Sequence, residues 1–127
     1  MRLRSLLFVP GDRADRFAKA AGSGADALIL DLEDAVAASA KDTARTAVRD
    51  WLAEEASLPR IVRINPVDGP LALADLDALA GTRPDAIMVP KAEGQATITA
   101  LDPLLAARGL AEVPLLPIAT ETRAAIF

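Results

Sequence analysis

The sequence predicts an α/β fold of the (β/α)8 TIM-barrel type, with about the first five βα units present. Three observations carry this expectation. Five short apolar runs, LLFVP, DALILD, RIVRI, DAIMVP and PLLPI, alternate with amphipathic stretches of helix length. Each run is rich in Leu, Ile or Val and is bounded by Gly, Pro or Asp, the pattern of a strand buried in a parallel sheet. Each also leads into polar residues of types that active sites use. A strand–helix series points its strand C-termini at one face.

The elements follow in order. Strand one is expected over Arg4–Val9. Asp12 is placed to cap a helix through Ala21, with Phe17, Ala18 and Ala21 inward. Gly22 and Gly24 end that helix, and strand two follows over Ala27–Leu32. Helix two is expected over Ser39–Glu55 with Ser39 as cap, because Ala44, Ala47, Val48, Trp51 and Leu52 recur at helical spacing. Pro59 stops it, and strand three is Ile61–Asn65. Helix three spans Leu71–Ala80 and ends at Gly81; strand four is Ala86–Val89. Helix four spans Ala96–Arg108, with Asp102-Pro103 a point where it splits or restarts and Gly109 its C-cap. Strand five is Leu115–Ile118, and the residues up to Phe127 read as the start of a fifth helix.

Composition removes whole classes of chemistry. The chain has 127 residues, 52% apolar and 25% charged, which suits one globular domain with a real core. It has no Cys and no His, so disulfides, thiolate sites, cysteine nucleophiles, imidazole bases and Ser-His-Asp catalysis are excluded. A metal must then have oxygen ligands, which favours Mg²⁺ or Mn²⁺. The net charge is −4 and no basic cluster occurs, so no nucleic-acid partner is expected. The apolar run after the basic N-terminus is too short for a signal peptide, and no segment reaches transmembrane length. A cytoplasmic protein without a membrane partner is the expectation. Neither GxGxxG nor GxxxxGK[ST] occurs, which removes support for nucleotide-binding folds.

A closed barrel needs about 250 residues. The chain therefore reads as residues 1–127 of a single domain, an incomplete N-terminal part of a barrel. A barrel completed by another chain and a smaller open sheet are the alternatives. The strand ends would gather Asp31, Glu33, Asp34, Arg63, Asn65, Lys91 and Glu121 on one face.

At RSLLFVPGDRADRF, DALILDLEDAV, VRIN, MVPKAE and ATETRAAI the chain resembles the citrate lyase β-subunit family. This is the HpcH/HpaI aldolase superfamily, with malyl-CoA and citramalyl-CoA lyases among its members. The motifs stand in family order and cover almost the whole chain. The resemblance implies a (β/α)8 barrel, often in trimers or hexamers. It implies Mg²⁺-dependent cleavage or formation of a carbon–carbon bond between an acyl thioester and a 2-oxo acid. Coenzyme A or an acyl carrier would form part of the substrate. It makes Arg63 the residue that grips the acid's carboxylate and Glu121 a metal ligand. The second ligand, an aspartate after a sixth strand, is absent from this chain.

The residue types agree with these roles. A guanidinium meets a carboxylate through two parallel hydrogen bonds and never loses its charge, which suits Arg63; an ion pair with a neighbouring carboxylate is its structural alternative. A hard carboxylate such as Glu121 suits Mg²⁺, although it could equally serve a helix N-terminus. Asp31, Glu33 and Asp34 crowd like charges together, which can raise one pKa and suit a proton carrier. Glu33 is the catalytic candidate; it could also orient metal-bound water or fix Arg63, while Asp34 could cap a turn. Lys91 and Asn65 are candidate substrate contacts. Arg13 and Arg16 could meet coenzyme A phosphates but read more simply as solvated charges, and Gly11 serves a turn. An aldolase acting on a free 2-oxo acid and a non-catalytic barrel module are the rival readings.

Overall fold

The computed structural model describes residues 5–55, 57–90, 95–118 and 125–126. Six strands form one sheet: β1 (Leu6–Pro10), β2 (Ala27–Asp31), β3 (Arg60–Arg63), β4 (Ala86–Pro90), β5 (Leu115–Ile118) and β6 (Ala125–Ile126). Their order is β5-β4-β3-β2-β1-β6, and every described pairing is parallel. Strands β1 to β5 are thus neighbours in chain order. That is the sequence of a barrel wall, whereas a doubly wound sheet reverses at a switch point. The helices are α1 (Phe17–Ala21), α2 (Lys41–Leu52), α3 (Ala72–Leu79) and α4 (Gln95–Ala106). Among the described residues no helix is long and apolar enough to cross a membrane.

Alternation along the strands divides the core in two. Val9, Leu28, Leu30, Val62, Ile87 and Val89 face the helices and pack with Phe17, Val48, Leu76 and Leu101. Phe8, Ala27, Ile29, Ile61, Ala86 and Met88 form a separate apolar layer on the opposite face of the sheet. Register puts Phe8, Ile29, Ile61 and Ala86 side by side in that layer. Two residues further on, Pro10, Asp31, Arg63 and Met88 are side by side on the same face. The layer therefore changes from oil to charge within one step toward the strand C-termini.

Several expectations need correction. Asp12 does not cap a regular helix: a 3-10 turn over Ala14–Arg16 leads into α1, with no side-chain cap. In α1, Phe17 and Ala20 are the buried residues, and Ala18 is exposed. Ser39 does not cap α2 but lies in the 3-10 turn Ala38–Ala40 before it. Pro103 sits inside α4, which runs from Gln95 to Ala106 without splitting. Ala125–Ile126, expected within a fifth helix, are a strand paired with Leu7 and Phe8. An open parallel edge on β1 offers hydrogen-bonding groups that a second strand satisfies.

Arg60, the first residue of β3, ties that strand to the end of α2. Its guanidinium donates to the carbonyls of Trp51 and Leu52 at the end of α2 and of Glu54 just beyond it, at 2.5, 3.4 and 3.0 Å. It also lies 5.3 Å over the Trp51 ring. Carbonyls left over at a helix C-terminus attract a cation. Burial nonetheless pulls the Arg60 pKa below its ordinary value.

Candidate active site at the strand C-termini

The site is built on a pair of register partners. Asp31 ends β2 and Arg63 ends β3, directly across from one another. Arg63 Nε donates to Asp31 Oδ1 at 2.8 Å and Nη2 donates to Asp31 Oδ2 at 2.6 Å. This is the side-on bidentate geometry that a planar guanidinium favours. The Asp31 side chain is fully buried, whereas that of Arg63 is 20% exposed. Arg63 stacks 4.6 Å over the ring of Phe8, so the apolar layer supports the charged one.

Asp31 does a second job. Its Oδ1 accepts the Glu33 N–H and its Oδ2 accepts the Ala35 N–H, both at 2.9 Å. The carboxylate thereby folds the chain after β2 into a tight turn. That turn brings Glu33 Oε1 to 3.6 Å from Arg63 Nε, with the Glu33 side chain 6% exposed. Asp34 points outward and is exposed. Burial works against the Arg63 charge, but the bonds to Asp31 and the fields of Asp31, Glu33 and Asp34 outweigh it. The Arg63 pKa is raised further above its ordinary value.

Behind this layer is a polar network between the sheet and two helices. Lys41, the first residue of α2, donates to the carbonyls of Leu32 and Glu33, each at 2.7 Å, and to Asn65 Oδ1 at 3.0 Å. Asn65 Nδ2 donates to the Leu32 carbonyl and to Asp75 Oδ2, and the Asn65 N–H also reaches Asp75 Oδ2. Asp75 Oδ1 accepts from Arg45 Nε at 2.8 Å, and Arg45 Nη1 reaches Asp42. Asn65 is therefore buried, with both ends of its amide engaged by the protein. In this geometry it braces the β2 and β3 loops; it is not a group held out toward solvent.

Gly11 lets these parts close up. Its N–H donates to the Asp31 carbonyl at 2.8 Å, and a Cβ there would stand 2.7 Å from that same oxygen. The glycine thus serves a close approach of backbone to backbone.

Of the residues singled out in the sequence, Arg63, Glu33 and Asp31 come together, and Asn65 joins the neighbouring network of Lys41, Leu32 and Asp75. Lys91 and Glu121 lie outside the described residues. Arg13 is exposed and paired with Asp15. Sequence reasoning missed Lys41, Arg45 and Asp75. A signal did exist for Asp75, an acid on the apolar face formed by Ala72, Leu76 and Leu79.

The described residues do not by themselves make a metal centre. No group of three or more acidic residues among them is placed to hold an ion. Both Asp31 oxygens are spent on Arg63 and on backbone amides.

Comparison with known proteins agrees with the geometry. Residues 4–125 match the family model described as HpcH/HpaI aldolase/citrate lyase. A citrate lyase subunit beta-like protein of Mycobacterium tuberculosis is 47% identical over 97 residues, 76% of this chain and 34% of that protein. A (3S)-malyl-CoA thioesterase of Cereibacter sphaeroides is 41% identical over 104 residues, 80% of this chain and 36% of that protein. The chain thus spans about a third of the length of these curated relatives. Among solved structures, CitE of M. tuberculosis with magnesium and acetate superposes with a TM-score of 0.72 at 41% identity, over 89% of this chain and 42% of that one. CitE with magnesium, acetoacetate and coenzyme A gives 0.70 at 40%, over 89% and 38%. The barrel-type strand order, the motifs along the chain and these matches converge: the chain belongs to the HpcH/HpaI aldolase/citrate lyase family.

Proposed function

We propose that this chain carries the acid-gripping part of a carbon–carbon lyase. The substrate would be a citryl-, malyl- or citramalyl-type acyl thioester, split into a smaller acyl thioester and a 2-oxo acid. One observation carries the reading: the Arg63 guanidinium is pinned by Asp31 through its Nε–Nη2 edge at the strand C-termini. Asp31 uses one edge of the fork, and the Nη1–Nη2 edge matches a substrate carboxylate. An arginine fixed in place loses little side-chain entropy when it binds.

The chemistry is a retro-aldol cleavage. The bond between the carbon alpha to the thioester and the hydroxyl-bearing carbon breaks. The hydroxyl loses its proton and becomes a carbonyl, and the alpha carbon takes up a proton. Glu33, buried beside Arg63, is our candidate to receive the hydroxyl proton. Lys91 is a further candidate substrate contact. Solved CitE complexes contain magnesium with pyruvate, and magnesium with acetoacetate and coenzyme A. By analogy Mg²⁺ or Mn²⁺ would be held by Glu121 with a further ligand from outside this chain, and would polarise the oxo-acid oxygen. Assembly as a trimer or hexamer belongs to the same proposal.

Calorimetry with pyruvate in the presence of Mg²⁺ tests the grip. Binding that disappears in Arg63→Ala supports it; binding unchanged in that variant refutes it. The relative named (3S)-malyl-CoA thioesterase favours a second reading, hydrolysis of a malyl thioester. Product analysis separates the two. Cleavage of malyl-CoA yields glyoxylate and acetyl-CoA, whereas hydrolysis yields malate and free coenzyme A.

A further inference from the structure

Lys41 breaks a local rule. A cation at the first position of a 12-residue helix stands at the positive end of the helix dipole. It is also buried, at 9% exposure, and its three acceptors are two carbonyls and an amide oxygen, all neutral. Burying an ammonium on neutral partners is expensive unless the geometry is good. Departures from local preference of this kind gather at functional sites.

Its placement explains the departure. The Leu32 and Glu33 carbonyls belong to the turn after β2, the turn that carries Glu33 next to Arg63. Asn65 belongs to the segment after β3, two residues beyond Arg63. Leu32 also donates its N–H to the Arg63 carbonyl at 2.9 Å. One ammonium therefore ties together both loops that present the candidate site. Asp75 and Arg45 extend the tie into α3 and α2.

We infer that Lys41 is a positioning residue, whose ammonium joins the β2 and β3 loops and sets where Glu33 and Arg63 stand when an acid binds. The binding half of this inference rests on the lyase reading above; the joining of the loops does not.

Two readouts on Lys41→Met test it, under conditions where denaturation curves show the variant fully folded. The first is amide hydrogen exchange at Glu33 and Ala35, whose N–H groups bond to Asp31, with Leu30 in the strand core as reference. The inference expects faster exchange at Glu33 and Ala35, unchanged exchange at Leu30, and a displaced Arg63 Nε–H resonance. A purely structural role would speed all three amides alike and leave the Arg63 signal of the folded protein in place. The second readout is pyruvate affinity with Mg²⁺, expected to fall about tenfold to about a hundredfold, the scale of a misplaced site. Affinity within twofold of the parent, with the Arg63 and Glu33 signals unmoved, overturns the inference. If the parent binds no pyruvate, the lyase reading fails, and exchange and the Nε–H signal still decide the role of Lys41. If the variant does not fold, the parent's own Lys41 ¹⁵Nζ signal decides. A slowly exchanging ammonium supports the tie, and a freely exchanging one overturns it.

Discussion

Asp31 holds Arg63 across adjacent strands with two hydrogen bonds while two more hold the turn that carries Glu33. One buried carboxylate thus fixes both charged groups of the candidate site. Removing its charge should be felt in stability and in binding together. Asp31→Asn takes from Arg63 the nearer of two carboxylate partners and leaves Glu33 at 3.6 Å; breaking a fully buried pair outright costs about 3–5 kcal/mol. Since Arg63 is 20% exposed, solvent screening reduces the expected loss to about 2–3 kcal/mol. Urea denaturation measures it; a change within experimental error would show that the fork adds nothing.

Arg63→Lys keeps the charge and loses the fork. A point-like ammonium cannot hold Asp31 side-on and also offer a second planar edge. Because the charge stays, the expected loss is that of a hydrogen bond to a charged group, about 1.5–3 kcal/mol. Titration of pyruvate with Mg²⁺ into parent and variant checks this, and equal affinities would mean the acid is held elsewhere.

The pH response of the arginine has a definite sign. Its folded pKa is raised, so its contribution is fully present below the unfolded value and is lost only as pH rises through the folded one. Both lie well beyond the pH range in which the protein would be handled. Pyruvate affinity should therefore show no step between about pH 8 and about pH 10 that disappears in Arg63→Lys. Such a step would contradict the assignment.

Gly11→Ala should destabilise the protein by about 1–3 kcal/mol, the cost of overpacking a closed site. The new Cβ would meet the Asp31 carbonyl at 2.7 Å, with the Leu32 and Ala44 side chains at 3.1 and 3.2 Å. Backbone cannot swing aside as a side chain can. A melting temperature equal to the parent's would show that the loop relaxes freely.

Arg60→Leu is the contrasting case. It removes the cation at the end of α2 and should cost about 0.5–1.5 kcal/mol, the net worth of an ordinary hydrogen bond, because the Trp51 carbonyl keeps the Glu54 N–H and the Glu54 carbonyl is only partly buried. Pyruvate affinity should not change, because Arg60 opens β3 and Arg63 closes it. Lost affinity in a folded variant would show that the two ends of the sheet are coupled.

How much of this was legible in sequence depends on the range of the interaction. Strand β5 falls where its apolar run predicts, and β2 and β4 fall within one residue of it. The Gly81 and Gly109 stops hold because both adopt a positive φ that other residues resist. Arg63 and Asp31 stood out singly, yet their union did not, since it depends on register between segments 32 positions apart. Strand parity held a clue: Ala27, Ile29 and Asp31 share one face, as do Ile61 and Arg63. Lys41 was illegible because a lysine in a helix's first turn reads as a solvated charge. Its three acceptors are backbone and amide oxygens brought in by tertiary folding.

The Asp31–Arg63 partnership also bears on how the sheet finds its correct alignment. A slip of β3 by one residue would set Val62 opposite Asp31 and turn the guanidinium toward the helix-side core. Asp31 would keep its backbone donors but lose the guanidinium, and Arg63 would be stranded in oil. Mispaired forms of this sheet therefore carry an electrostatic penalty that apolar strands of the same shape would lack, and the pair acts as a proofreading key during folding.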